Sequence, residues 1–234
     1  MFSLVIPCHS SNLNTILFIV NCFIKEKQLL NEIIIIFNNI KKFDTIKDIV
    51  QQINLLNIKF KYKYFKNSIH PGIARNLSYD LIESDYIVFH DADDEPHPKK
   101  LKIIKYVFDN TNADQMHHLF QPIELDFLDY QLEKIKYLKI DNKEIFNFQK
   151  RNCVLLNTYS KMPVSHGLIS IKKNKLIEIE WNNLRSGEDR DFITKSIKND
   201  NNIYIIEAFL SKYDKFKIKS LNLYYNKYFQ LFSK

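Results

Sequence analysis

The sequence predicts an α/β protein built on a parallel, doubly wound sheet with helices on both faces. Two observations carry this. From residue 2 to about residue 115, short apolar runs alternate with segments of helical periodicity, the β–α–β order that parallel sheets require. The run Glu32 to Phe37 is almost pure Ile, as expected of a strand covered on both faces.

Taken in order, Phe2 to Ile6 reads as a strand ending at Pro7. Asn14 to about Lys25 carries Ile16, Leu17, Ile19, Val20, Phe23 and Ile24 at helical spacing. Glu32 to Phe37 is the second strand. Asp44 to Ile53 is a helix with Ile46, Ile49, Val50 and Ile53 on one stripe, and Ile58 to Phe65 alternates apolar residues with Lys as a strand does. Pro71 opens a helix expected to run to about Glu83, since proline suits the first helical position. Tyr86 to Phe89 is a buried strand, and Leu101 to Phe108 a helix. From about Met116 to Asn157 the pattern lapses. Val164 to Ile171, Ile203 to Ile206 and Leu221 to Tyr225 read as strands, and Ser186 to Ile197 as a helix. No repeat and no Pro/Gly/Ser linker divides the chain, so residues 1–234 are expected to form one domain with halves at 1–115 and 116–234.

Composition excludes several classes. The chain is 45% hydrophobic and 26% charged, within the globular range, and has three Gly among 234 residues, far too few for collagen-like or linker sequences. No apolar run exceeds five residues, against about 20 for a membrane span, and the first ten residues lack the basic start of a signal peptide. Cys8, Cys22 and Cys153 are too few and too scattered for a disulfide framework or zinc site. These features predict a cytoplasmic protein, peripheral to a membrane at most. The net charge is +7, but only four of 34 basic residues are Arg, so nucleic acid is not an expected partner. The 30 Lys, 33 Ile and 24 Asn point to an AT-rich genome, as in some bacteria and large DNA viruses.

Four features can carry chemistry. Asp91-Ala92-Asp93-Asp94-Glu95 follows the buried strand Tyr86 to Phe89, and acids at the carboxyl end of a central parallel strand face the crevice where such sheets bind ligands. Asp91 and Asp93 are two apart, so a turn can aim both at one hard cation such as Mg2+ or Mn2+; the plainer alternative is a decorated loop. Gly187-Glu188-Asp189-Arg190-Asp191 offers carboxylates at a helix start, either as a cap or as a general base. Gly72-Ile73-Ala74-Arg75-Asn76 puts small residues and a rare Arg on a first helical turn, suited to close packing or an anion. Pro7-Cys8-His9-Ser10-Ser11-Asn12 is a loop after the first strand, at minimum a turn and a helix cap.

Together these features resemble glycosyltransferase family 2, inverting enzymes of the GT-A fold, a Rossmann-like sheet with an acceptor-side C-terminal half. That family has a strand leading into Pro-x-Tyr-Asn, a second strand ending in Asp, a Gly…Ala-Arg-Asn helix, a strand before Asp-x-Asp, and a late Glu-Asp helix. The counterparts are Val5 to Ser10, Ile36 to Asn39, Pro71 to Asn76, Tyr86 to Asp94 and Gly187 to Phe192. Ser165 to Lys175 and Leu223 to Tyr225 resemble later strands of the family, while 117–157 has no counterpart.

The resemblance implies a nucleotide-diphosphate sugar as donor, a UDP-sugar by preference, and a glycan or other hydroxyl as acceptor, with Mn2+ or Mg2+ as cofactor. It makes 1–115 the donor half and 116–234 the acceptor half. Asp93 would be the first metal ligand and Asp91 a water-mediated ligand or ribose contact. Pro7, His9, Ser10, Asn38, Asn39, Gly72, Arg75 and Ala92 would line the nucleotide-sugar site. Asn38 and Asn39 stand where the family has an Asp; an amide oxygen can accept the same bond from the base without charge assistance. Asp189 would be the catalytic base, with Glu188 its alternative. His117, His118 and His166 are candidate further ligands, and Trp181 and Tyr159 candidate sugar platforms, although packing is the commoner use of each type. A nucleotidyltransferase is the competing enzyme reading; Pro7 to Asn12 contains none of the Gly, Lys or Arg its phosphate loop would need. A sugar-nucleotide fold that binds without catalysis is the other alternative.

Overall fold

The computed structural model describes residues 1–140, 169–184 and 188–213. Ser165 to Leu168, Ser186, Gly187 and the expected strand Leu221 to Tyr225 lie outside these, as do Tyr159 and His166.

Strands β1 (Phe2–His9), β2 (Leu30–Asn38), β3 (Lys59–Phe65) and β4 (Tyr86–Phe89) form a parallel set in the order β3-β2-β1-β4. Helices α1 (Leu13–Ile24), α2 (Asp44–Asn54) and α3 (Pro71–Asn76) connect them. The sheet continues through β8 (Ile169–Lys172), β6 (Gln115–Pro122) and β9 (Ile203–Tyr213), with β5 (Glu95–Pro96) and β7 (Tyr137–Lys139) both on β9. β8 runs antiparallel to β4 and β6, while β6 and β9 are parallel. Helices α4 (Lys100–Asp109), α5 (Lys173–Leu176) and α6 (Glu188–Lys198) complete the described elements.

Both faces of the parallel set are covered, and the side-chain period of two divides its residues between them. Leu4, Ile6, Cys8, Ile33, Ile35, Phe37 and Val88 pack with apolar residues of α1, α2 and α4. Val5, Ile34, Ile36, Ile87 and Phe89 pack with Ala74, Ile169, Trp181 and Phe192 on the other face. Ile33 through Ile36 are all fully buried, which is why that strand carries no polar alternation. Each such side chain contributes about 1.5–3 kcal/mol of burial.

Several elements differ from their sequence expectation, among them β9, which runs to Tyr213 against an expected end at Ile206. β1 passes through Pro7 to His9, because β2 pairs with it over its whole length, as far as His9↔Asn38. Pro7 lies beyond Val5↔Phe89, the last partner on the β4 side, where β1 has outrun that neighbour. α3 ends at Asn76 instead of near Glu83, followed by a 3-10 turn at Tyr79–Leu81. Carbonyls that would continue the helix are taken elsewhere. The Ser78 hydroxyl donates to Arg75 O (2.6 Å), Lys63 Nζ reaches Leu77 O (2.9 Å), and Lys61 Nζ reaches Leu81 O. β6 falls where the apolar pattern lapses, since Gln115, His117, His118 and Gln121 are buried polar residues on a core strand.

Candidate functional site

The chain builds β1, β2 and β3 outward in one direction, then crosses back to place β4 on the far side of β1. The strand order therefore reverses between β1 and β4, and open sheets of this kind bind ligands outside the carboxyl ends of the strands at such a reversal. Cys8, His9 and Ser10 come from the end of β1, and His90, Asp91, Ala92 and Asp93 from the end of β4. Asp91 and Asp93 thus stand at the carboxyl end of β4, beside the end of β1.

The β1 end is shaped by short local bonds. His9 caps the following 3-10 turn, its Nδ1 accepting from Ser11 N–H (3.2 Å). Ser10 Oγ accepts from Asn39 Nδ2 (3.0 Å), joining the ends of β1 and β2. Asn39 has φ of 62°, a left-handed conformation that Asn tolerates better than most residues. Asn38 is buried and commits both amide atoms to Ile69: its Nδ2 donates to Ile69 O (2.6 Å) and its Oδ1 accepts from Ile69 N–H (2.9 Å). Of the two asparagines read as contacts for the donor base, Asn39 is the half-exposed one.

Arg75 is almost wholly buried in α3 and forms an ion pair with Asp91, itself about a quarter exposed. The Nε and Nη1 of Arg75 are buried with no hydrogen-bond partner. The guanidinium thus retains unspent donor capacity beside the acidic turn. Asp93 is half-buried and close enough to Cys8 for its charge to add to burial in pushing that thiol up to about 12. Ala92 is buried, and its carbonyl accepts from Thr15 Oγ1 (2.6 Å), which ties the turn to the first helix of the opposite face.

Beneath the turn lies a charged layer that the sequence did not disclose. Lys100 is fully buried, with Nζ 3.0 Å from His90 Nδ1 and 3.2 Å from Ser211 Oγ. Burial lowers its ammonium to about 7 against the pull of Asp94, Asp91 and Glu26. His90 presents Nε2 to Asp94 O (3.0 Å), and burial holds its imidazole well below the usual histidine range. In a chain with 30 Lys, nothing local separated Lys100 from its exposed neighbours.

The remaining candidates sort by burial. His117 and His118 are buried on β6: His118 Nδ1 meets Leu119 O at 2.8 Å, and His117 Nε2 meets Gln115 Nε2 at 2.7 Å. Trp181 is buried, stacked on Phe192 and edge-on to Phe89, so it serves packing. Gly72 gives it room: a Cβ there would come within 2.9 Å of Trp181 Cβ. Glu188 and Asp189 are half-buried on the first turn of α6. Phe89 lies two residues before Asp91 and Phe192 one helical turn after Glu188, and both touch the same indole, so one core element joins the acidic turn to the Glu-Asp helix.

Residues 3–168 match the family model described as "Glycosyl transferase family 2". The chain belongs to this family. The amylovoran biosynthesis glycosyltransferase AmsB of Erwinia amylovora is 27% identical over 101 residues, which are 43% of this chain and 33% of AmsB. Residues 1–349 of S. aureus TarS, solved in complex with UDP-GlcNAc, match with a TM-score of 0.68 at 18% identity, covering 92% of this chain and 58% of that one. GalNAc-T7, solved with UDP, GalNAc and Mn2+, matches with a TM-score of 0.64 at 15% identity, covering 88% and 42%. These likenesses establish the GT-A fold. The chain spans a third of AmsB and under two thirds of the TarS fragment.

Proposed function

We propose that this family 2 chain is a glycosyltransferase that moves a sugar from a nucleoside diphosphate, UDP by preference, to a hydroxyl acceptor with inversion at the anomeric carbon. The observation that carries the reading is the acidic turn Asp91-Ala92-Asp93 at the strand-order reversal, backed by a buried Arg with unspent donors. Family membership and the UDP-bound structural relatives support it.

Each residue then has a physical task. Arg75 aligns the Asp91 carboxylate and offers its remaining N–H groups toward diphosphate charge. His9, Ser10 and Asn39 form the β1–β2 edge against which nucleoside and ribose would lie, with Pro7 and Ala92 keeping the backbone close and Gly72 making room for Trp181 behind them. Asp189 takes the proton from the acceptor hydroxyl, a step worth about 10²–10⁴ in rate, with Glu188 as the neighbouring carboxylate that orients the acceptor. The acceptor oxygen bonds to the anomeric carbon as the carbon–oxygen bond to the diphosphate breaks, and UDP leaves with that electron pair.

Asp93, with Asp91 in support, has the hard oxygen chemistry for Mn2+ or Mg2+. Among the described residues no group of three His, Cys, Asp or Glu could enclose a metal. Mg2+ in phosphoryl-substrate sites is commonly held by one or two carboxylates and completed by substrate phosphates, the role proposed for Asp93 and Asp91. When bound, such an ion would neutralise the charge developing on the leaving diphosphate.

The test is UDP release from a panel of UDP-sugars, with and without Mn2+. Release that disappears in Asp93→Ala and in chelator, while Asp189→Asn retains UDP binding, is the expected result. Full activity of Asp93→Ala in chelator would overturn the metal assignment, and transfer at the wild-type rate by Asp189→Asn would remove Asp189 as base.

A further inference from the structure

Trp181 is the one tryptophan of the chain, and its indole contacts Phe89, two residues before Asp91, and Phe192, one turn after Glu188. Its indole stacks on Phe192 of α6 with ring centroids 3.9 Å apart and planes 11° from parallel. The edge of the pair formed with Phe89 brings centroids to 4.9 Å, and the Arg75 guanidinium carbon lies 5.9 Å from the indole centroid. The main chain is held as firmly as the ring. Asn76 Nδ2 donates to Trp181 O (2.8 Å), and Trp181 N–H donates to Asn76 Oδ1 (3.0 Å). One amide thereby satisfies both backbone groups of a residue 105 positions away.

This double bond does something that apolar contact alone does not. A stacked ring can slide over its neighbour at little cost, whereas two opposed hydrogen bonds specify one register. Asn76 directly follows Arg75, and Phe192 lies one turn beyond Glu188. The far end of α6 is anchored separately: Ser196 Oγ donates to the buried Gln115 Oε1 (2.6 Å) and accepts from Asn201 Nδ2 (3.0 Å). With one anchor at Ser196 and another through Phe192, the helix direction is defined. Buried Ile193 and Ile197, with Lys195 Nζ on Glu180 O, keep the body of the helix seated, so it is the first turn at 188–192 whose placement depends on the Phe192 contact.

We propose that Asn76 and Trp181 form a positioning clamp that sets the Glu188–Asp189 end of α6 against the Arg75–Asp91 pair. It deepens the glycosyltransferase reading and rests on it. Neither residue needs to touch substrate. Their work is to hold a base carried by the second half of the chain at a fixed height over a donor held by the first, and a displacement of about 1 Å in such an arrangement costs on the order of 100-fold in rate.

The test has one arm that needs no ligand. Hydrogen exchange is measured on the full chain and on Asn76→Ala, Trp181→Phe and Trp181→Ala. Asn76→Ala should raise exchange at 192–195, whose amides bond to the carbonyls of the first turn of α6, about tenfold or more while 33–37 of β2 stay protected; equal exchange at 192–195, or a uniform rise through both segments, would overturn the clamp. In the second arm each variant is titrated with UDP and Mn2+, and turnover of a UDP-sugar is expressed per bound UDP. Asn76→Ala and Trp181→Ala should keep the UDP Kd within about threefold and lose ~10- to 100-fold in turnover. Trp181→Phe, which keeps a ring on Phe192 and the same backbone, should recover most of it. Unchanged turnover per bound UDP in both Ala variants would sink the proposal. If Asn76→Ala does not fold, Asn76→Asp, which keeps the acceptor for Trp181 N–H and loses the donor to Trp181 O, should lose turnover per bound UDP relative to wild type, and wild-type turnover in it would overturn the clamp. A wild-type chain that neither binds UDP nor turns over any UDP-sugar would overturn the donor reading instead, and the exchange arm would still decide the clamp.

Discussion

Replacing Gly72 by Ala tests the packing that joins the two sides of the site. Gly→Ala in a helix ordinarily stabilises by about 0.5–1 kcal/mol. Here the new methyl would stand 2.9 Å from Trp181 Cβ, 3.2 Å from Cγ and 3.3 Å from Cδ1. Carbon atoms prefer roughly 3.5–4.0 Å, so a gap of about 0.6–1 Å has to open. The nearest atom is a Cβ, which every residue except glycine retains, so no rotamer change relieves the contact. The Trp181 backbone cannot withdraw freely either, because Asn76 of the same short helix holds it by two hydrogen bonds. Overpacking of this kind costs about 1–3 kcal/mol. After the helix gain, a net loss of up to about 2.5 kcal/mol remains, centred on about 1 kcal/mol, or roughly 2–4 °C in Tm at that centre for a domain of this size. Urea denaturation followed by the single tryptophan reads both stability and the state of the indole. A Gly72→Ala protein as stable as the wild type, with unchanged emission, would refute the claim that Trp181 is rigidly seated.

Glu32 is fully buried on β2 and accepts from Ser3 Oγ (2.6 Å) and Glu83 N–H (2.6 Å) while pairing with Lys61 Nζ (2.6 Å). Glu32→Ala should therefore cost about 3–5 kcal/mol by leaving those partners unmatched, and Glu32→Gln distinctly less, as measured by urea midpoints. Stability should also depend on pH through the buried layer. His118 titrates well below its usual 6.5 in the native state, so below about pH 6.5 the unfolded chain binds a proton that the native chain refuses, and Tm falls as pH drops. Lys100, lowered from 10.5 to about 7, acts in the same direction, adding stability as pH rises from 7 toward 10. Cys8, raised from 9.0 to about 12, opposes it above pH 9. The Tm from melts between pH 5 and 10 should rise with pH to about 9 and level off between 9 and 10, and His118→Asn should make the acid limb shallower, with buried His90 supplying the rest; a Tm independent of pH between 5 and 7 would contradict the assignment.

Much of the fold was legible because it rests on local pattern. The Ile run at 33–36 cannot expose either face, so it had to be an inner strand, and the helices at 13–24, 44–54 and 100–109 follow from apolar spacing. The acidic turn was legible too, since adjacency to a buried strand places it at a sheet end whatever the rest of the chain does. β6 was hidden because its core positions are Gln and His, whose burial depends on partners such as Ser196, 81 residues away from Gln115. The length of α3 was misjudged for a similar reason: Lys61 and Lys63, on a strand earlier in the chain, take the carbonyls that helix continuation would use.

Residue order thus marked most of the strands and helices, and the carboxylates proposed to act, because backbone periodicity and neighbour relations are properties of short stretches. The folded chain alone settled which polar groups are buried and with whom. Lys100 under the acidic turn, Asn38 on Ile69 and Asn76 on Trp181 became visible only there. A buried polar atom must find a partner, and the chain meets that demand by closing loops of tens to a hundred residues, which no local pattern records.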